Sequence, residues 1–114
     1  MSEPARRIIV AITGATGTIY GVRALQMLAK TNVETYLIIS KWGARTLIHE
    51  TSYKVEQVQK MATYTCAQND QGAKISSGSF QTSGMIVAPC SVRTLGAIAN
   101  GVSDNLIHRA ADVV

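Results

Sequence analysis

Thr13-Gly14-Ala15-Thr16-Gly17 interrupts an apolar run, Ile8 to Ile12, at the point where helical spacing begins. At a strand-to-helix turn, free backbone N–H groups and the helix dipole favour an anion, and glycines let a phosphate come close. The spacing is neither G-x-G-x-x-G nor the G-K-[ST] ending of a P-loop, which weighs against dinucleotide and nucleoside-triphosphate sites. The same residues suit a tight turn in which Gly17 and Gly21 let helix and sheet pack closely. On this segment alone the two readings weigh evenly.

Five further segments carry polar groups of interest. Ser40 ends a second apolar run, where a hydroxyl serves as a ligand contact or, more commonly, as a helix cap. Glu50, in "LIHETS", stands near the end of a short helix, where a carboxylate opposes the dipole. That position hints at function, with a solvated surface glutamate as the ordinary alternative. "SSGSF" (76–80) is a serine-rich turn that binds anions or simply turns. In "APCSVRTL" (88–95), Ser91 can cap a helix while Arg93 and Thr94 reach an anion at its N-terminus. Cys90 has no histidine near it in sequence and reads as a structural thiol. Arg109, flanked by Leu106, Ile107 and Ala110, either snorkels outward or points into a phosphate site, with Asp112 at i+3 as an ion partner. No His or Cys pair has metal-ligand spacing, so no metal site is expected.

The elements that must position these groups follow from apolar spacing. Residues 7–12, 33–40 and 83–89 read as buried strands, the last stopped by Pro89. Residues 18–30, 42–50, 54–62, 91–100 and 105–114 read as helices. Alternating strands and helices imply right-handed crossovers and an open parallel sheet covered on both faces, an α/β fold. Ligands bind beyond the carboxyl ends of such strands, so "TGATG", "SKWG" and "PCSVRT" should converge on one crevice. "RAADVV" has mid-helix character without a cap. The expectation is therefore that the chain is incomplete there or that another subunit covers the exposed edge.

With 114 residues, 46% hydrophobic and 16% charged, residues 1–114 read as one globular domain. No apolar run approaches the ~20 residues of a membrane span, and "MSEPARR" shows no apolar leader. The net charge of +4 comes from scattered basic residues without interleaved aromatics, which argues against nucleic-acid binding. Two cysteines without CxxC spacing fit a reducing cytoplasm.

In combination, "TGATGTIYGVRAL", "ISKWG", "HET", "ISSGSF", "GMIVAPCSVRTLGAIANGVSDNL" and "RAADVV" resemble the flavin prenyltransferases, the UbiX family, over essentially the whole chain from Arg7. The resemblance implies a Rossmann-like, three-layer flavoprotein fold with the C-terminal portion of the family fold absent. It implies FMN as cofactor and transfer of a dimethylallyl group from dimethylallyl phosphate to reduced FMN, making prenyl-FMN for a UbiD-type decarboxylase. It further implies a homo-oligomer, a trimer-based dodecamer. By position, Gly14, Ala15 and Thr16 match the phosphate- and flavin-binding turn, Ser40 a second flavin contact, and Ser91, Val92, Arg93 and Thr94 a third. Glu50, ten residues after Ser40, matches the acid/base carboxylate. Arg109 matches an arginine lining the region where prenyl donor meets flavin. The family's later segments, which complete the donor-phosphate cage, do not occur here, and a non-catalytic paralog or subunit is the alternative. A flavin-dependent cysteine decarboxylase is disfavoured, because Arg93 stands where that class has Asn.

Overall fold

The computed structural model describes residues 6–70 and 73–114, so the N-terminal stretch read above as lacking a leader lies largely outside the described residues. Four parallel strands form one sheet: β1 (Arg7–Ile12), β2 (Glu34–Ile39), β3 (Tyr64–Cys66) and β4 (Gly84–Val87), in the spatial order β3-β2-β1-β4. The helices are α1 (Thr18–Ala29), α2 (Lys41–Glu50), α3 (Val55–Gln59), α4 (Val92–Ala99) and α5 (Leu106–Val113), with a 3-10 turn at Lys74–Ser76.

The central strand explains the layering. Along β1, side chains alternate between two faces, and Ile9 to Ile12 are all fully buried. Val10 and Ile12 join Leu37, Val22 and Leu25 of α1, Leu47 of α2 and Val58 of α3 in one core. Ile9 and Ala11 join Tyr36, Ile38, Ile75 and the α5 residues Leu106, Ile107 and Ala110 in the other. Each such aliphatic side chain contributes roughly 1.5–3 kcal/mol on burial. This is the expected three-layer α/β architecture.

Helix α1 buries Thr18, Gly21, Val22 and Leu25, the i, i+3, i+4, i+7 stripe of an amphipathic helix. Gly21 is there for proximity: a Cβ would run into the Ala88 carbonyl oxygen and lie 2.7 Å from Ile12 Cγ1. Close helix–sheet packing, one of the two readings of the glycine-rich segment, therefore holds at Gly21.

Three elements differ from expectation. Strand β4, expected as a buried strand over 83–89, is only partly buried because it stands at the sheet edge beside β1 alone, with Ile86 exposed. Strand β3 was not anticipated, since Tyr64 and Thr65 are exposed and three residues make no apolar run. It is recruited by backbone pairing with β2 (Tyr36 to Tyr64, Ile38 to Cys66) and by reciprocal bonds between Thr35 and Thr63, each amide donating to the other's hydroxyl at 2.9–3.0 Å. Helix α3 ends at Gln59 rather than 62, its last residues forming tight turns.

Candidate functional site

The carboxyl ends of β1, β2 and β4 are laced together by polar groups. Thr13, the first residue after β1, donates its hydroxyl to the Pro89 carbonyl at 2.6 Å and accepts from the Ser91 amide at 2.8 Å. The Ser40 amide donates to the Ile12 carbonyl at 3.0 Å. These bonds bring the starts of α2 and α4 beside the turn that follows β1.

Each neighbouring helix is capped by its own sequence. Ser40 accepts from the Gly43 amide at 2.9 Å, and Ser91 accepts from the Thr94 amide at 3.1 Å. Asn105 accepts from the His108 amide at 3.0 Å. Side-chain oxygens bind orphan amides of a helix start in this way, each worth about 1 kcal/mol. Ser40 and Ser91 thus perform the capping role that residue type alone favours, and both also border a cavity.

That cavity encloses about 550 Å³. Thr13 and Gly14 form its floor; Ser40, Lys41 and Trp42 come from the start of α2; Ser91, Arg93 and Thr94 from the start of α4. Asp104, Asn105 and His108 come from the start of α5, and Gln68 closes one side, its Oε1 accepting from the Lys41 amide at 2.9 Å. Three helix N-termini and the cations Lys41 and Arg93 make the wall attractive to an anion. Gly14 lets the start of α2 pack against the turn, because a Cβ there would lie 2.5 Å from Trp42 Cβ. Trp42 is largely exposed at the rim, with the Arg45 guanidinium 4.8 Å above its ring. His108 is buried, and its Nδ1 accepts from the Asp104 amide at 3.3 Å.

Of the residues expected from sequence, Gly14, Ser40, Ser91, Arg93 and Thr94 meet in this cavity. Ala15, Thr16, Val92, Glu50 and Arg109 do not line it, and Val92 is 88% exposed. Glu50 lies instead at the start of α1. Its Oε1 accepts from the Gly17 and Thr18 amides, both at 3.1 Å, and from the Thr18 hydroxyl at 2.9 Å. Gly17, at φ 104°, has no side chain to cap α1, so Glu50 supplies the cap from across the fold. The Thr18 amide and hydroxyl, then the Gly17 amide and the His49 charge, hold its carboxyl below the usual range, against a partial desolvation. The dipole conflict inferred from its place near the end of α2 is resolved by the positive end of another helix. A consequence is that the α1 amides expected to cradle a phosphate already hold this chain's own carboxylate, while at the capped starts of α2, α4 and α5 the amides of Trp42, Val92, Arg93 and Ile107 donate to no acceptor among the described residues.

Arg109 lies on the far side of α5. Its Nε donates to the Ser76 carbonyl at 3.0 Å, and it pairs with Asp112 at 3.4 Å, the i+3 partner anticipated. The 76–80 turn is closed internally, Ser77 and Ser79 hydroxyls lying 2.8 Å apart. Burial pushes the Cys90 thiol up, as befits a structural cysteine. Thr13, Lys41 and Trp42 lie in the segments expected to converge here, whereas the contributions of Gln68, Asp104, Asn105 and His108 lie outside those segments. Asn105 before an apolar run is a helix-start signal that could have been used; Gln68 carries no local signal.

The Flavoprotein family profile matches residues 1–114. A probable UbiX-like flavin prenyltransferase of Bacillus subtilis (strain 168) is 54% identical over 108 residues, covering 95% of this chain and 53% of that protein. The crystal structure of AnUbiX (PadA1) in complex with FMN and dimethylallyl pyrophosphate matches with a TM-score of 0.95 at 50% identity, over 96% of this chain and 58% of that one. A dodecameric FMN-dependent UbiX-like decarboxylase from Escherichia coli O157:H7 matches with a TM-score of 0.93 at 50% identity, over 95% and 59%. The chain spans a little over half the length of these relatives. The likenesses bear out the resemblance drawn from the motifs and the Rossmann-like fold.

Proposed function

The chain belongs to the Flavoprotein family; we propose that it provides the FMN-binding part of a flavin prenyltransferase, which transfers a dimethylallyl group from dimethylallyl phosphate to reduced FMN. The observation that carries this reading is the convergence of three helix N-termini, two cations and Gly14 on one cavity beyond the strand ends. A flat ring bearing a phosphate fits such a site. The free amides of Val92 and Arg93 at the start of α4 and the Arg93 guanidinium suit the phosphate, and the bare Gly14 lets Trp42 pack directly on the turn beside the cavity. The volume lies within the usual ~300–1,000 Å³ of small-molecule sites. A relative solved with FMN and dimethylallyl pyrophosphate supports the same assignment.

In this reading Arg93, Thr94 and the α4 amides hold the FMN phosphate, Ser40 and Lys41 contact its polar edge, and Trp42 shields the rim. Bound reduced FMN supplies the electron-rich ring that accepts the dimethylallyl group. Ala15, Thr16 and Val92 complete the flavin contacts through the backbone of their turns. Glu50 serves the proton transfer and Arg109 steadies the donor side through the 3-10 turn it grips at Ser76.

Exposed Val92 and Leu95 on α4, with Ile86 on β4, fit burial between copies of the chain, in line with a dodecameric relative. The product would serve a UbiD-type decarboxylase, and the free cysteines suit the cytoplasm. Among the described residues no helix is long and apolar enough to cross a membrane.

A binding-only reading has one observation in its favour: Glu50 and Arg109 stand outside the cavity lining. Two measurements separate the readings. FMN is titrated into the protein; reduced FMN is then mixed with dimethylallyl mono- or diphosphate and its mass recorded. Saturable binding followed by a gain of one dimethylallyl unit is expected. Binding without mass gain leaves only the binder, and a folded chain without saturable binding overturns both.

A further inference from the structure

The proton-transfer role given to Glu50 leaves its direction open, since a carboxyl group can give or take a proton. We infer that Thr18 is the positioning residue that decides it: amide and hydroxyl of Thr18, with the Gly17 amide, anchor Oε1 and leave Oε2 alone as a proton acceptor. This rests on the prenyltransferase reading for what the proton transfer serves, but not for the geometry.

All three bonds fall on one oxygen. Oε1 receives the Gly17 amide at 3.1 Å, the Thr18 amide at 3.1 Å and the Thr18 hydroxyl at 2.9 Å. Among the described residues Oε2 accepts none of the hydrogen bonds found. The three donors favour the carboxylate over the acid, because Oε1 carries more negative charge when Oε2 is unprotonated than it does as the carbonyl oxygen of the neutral acid. From α1, the groups facing Glu50 are those amides and that hydroxyl; on its own helix the neighbouring His49 charge pulls the same way. Glu50 is therefore an anion with one fixed and one free oxygen. It takes a proton from substrate at Oε2, becomes the neutral acid, and returns the proton to water.

The Thr18 hydroxyl is also the one donor of the three that a side-chain change can remove. The Thr18 side chain is fully buried, so Val fills the same space without the hydroxyl, while Ser keeps the hydroxyl. The backbone amides remain in both variants.

The test follows the carboxyl carbon of Glu50 by NMR through a pH titration of the wild-type chain, T18V and T18S, with carbon-13-labelled glutamate and an amide spectrum to confirm folding. Glu50 is expected to titrate below the ordinary glutamate range in wild type, to move up toward that range in T18V, and to stay in T18S. A wild-type Glu50 that titrates in the ordinary range overturns the inference, a result that needs no variant to fold. So does an unmoved midpoint in T18V, or an equal movement in T18S. With reduced FMN and dimethylallyl phosphate, the acid limb of kcat/KM should follow the same shift. If the NMR midpoints behave as expected while wild type transfers nothing, Thr18's hold on Glu50 is supported and the prenyltransferase reading alone fails.

Discussion

The Thr13 hydroxyl accepts the Ser91 amide at 2.8 Å, joining the end of β1 to the start of α4 across 78 residues of sequence. The same hydroxyl donates to the Pro89 carbonyl at 2.6 Å. One buried side chain thereby aligns two walls of the cavity. Thr13→Val keeps the shape and strands both partners. It should lower unfolding free energy by about 1–3 kcal/mol, read by urea denaturation, and weaken FMN binding as well. Unchanged FMN affinity in a destabilised variant would separate the fold from the site.

Gly14→Ala tests how tightly the cavity floor is built. The new Cβ would sit 2.5 Å from Trp42 Cβ, so Trp42 or the turn must move. The expected outcome is a loss of FMN affinity of about tenfold or more, with a stability change of roughly 1–3 kcal/mol, as overpacking gives. Trp42 fluorescence would report the displacement.

Arg93 is the cation at the open start of α4. Replacement by Ala should weaken FMN and flatten the salt dependence of its binding, while Lys should restore most of the affinity, because charge counts more than the guanidinium fork here. Isothermal titration at two salt concentrations distinguishes this from a general loss of fold. Riboflavin, which lacks the phosphate, should bind the wild type and the Ala variant alike.

Glu50 gives a pH signature. Its folded pKa lies below the ordinary value of 4.5, so its contribution to stability is present above that pH and lost as pH falls through the folded value. Glu50→Gln should therefore flatten that part of the acid limb of stability below about pH 4.5, measured by thermal melts across pH. Activity should fall while FMN affinity stays nearly intact. Equal loss of both would make Glu50 purely a cap for α1.

The layered fold was readable because its signals are local. "RIIVAI" is continuous enough to be buried on both faces, and α1 shows its stripe at Thr18, Gly21, Val22 and Leu25. Ser40 and Ser91 were found for the same reason: a hydroxyl before a helical stretch is a cap whatever else it does. What escaped is what depends on partners far along the chain. Strand β3 exists through pairing with β2, and Gln68 joins the cavity by accepting the Lys41 amide. Glu50 was noticed for a dipole conflict, but the helix that relieves it could be known only from three dimensions.

The strand order has a consequence for how the site comes into being. β1 pairs with β2 after a short excursion, but its other neighbour, β4, returns only after most of the chain, with Thr13 and Pro89 76 residues apart. Closing so long a loop carries the greater entropic penalty, so this pairing belongs late in folding. A chain emerging during synthesis can zip β1, β2 and β3 together before the binding cleft exists. On the proposed reading FMN would recognise only the finished fold, and at concentrations well above its dissociation constant it would pull maturation to completion by mass action. The flavin would then act as an inspector of assembly, and flavin-starved cells would be expected to hold less of the mature form.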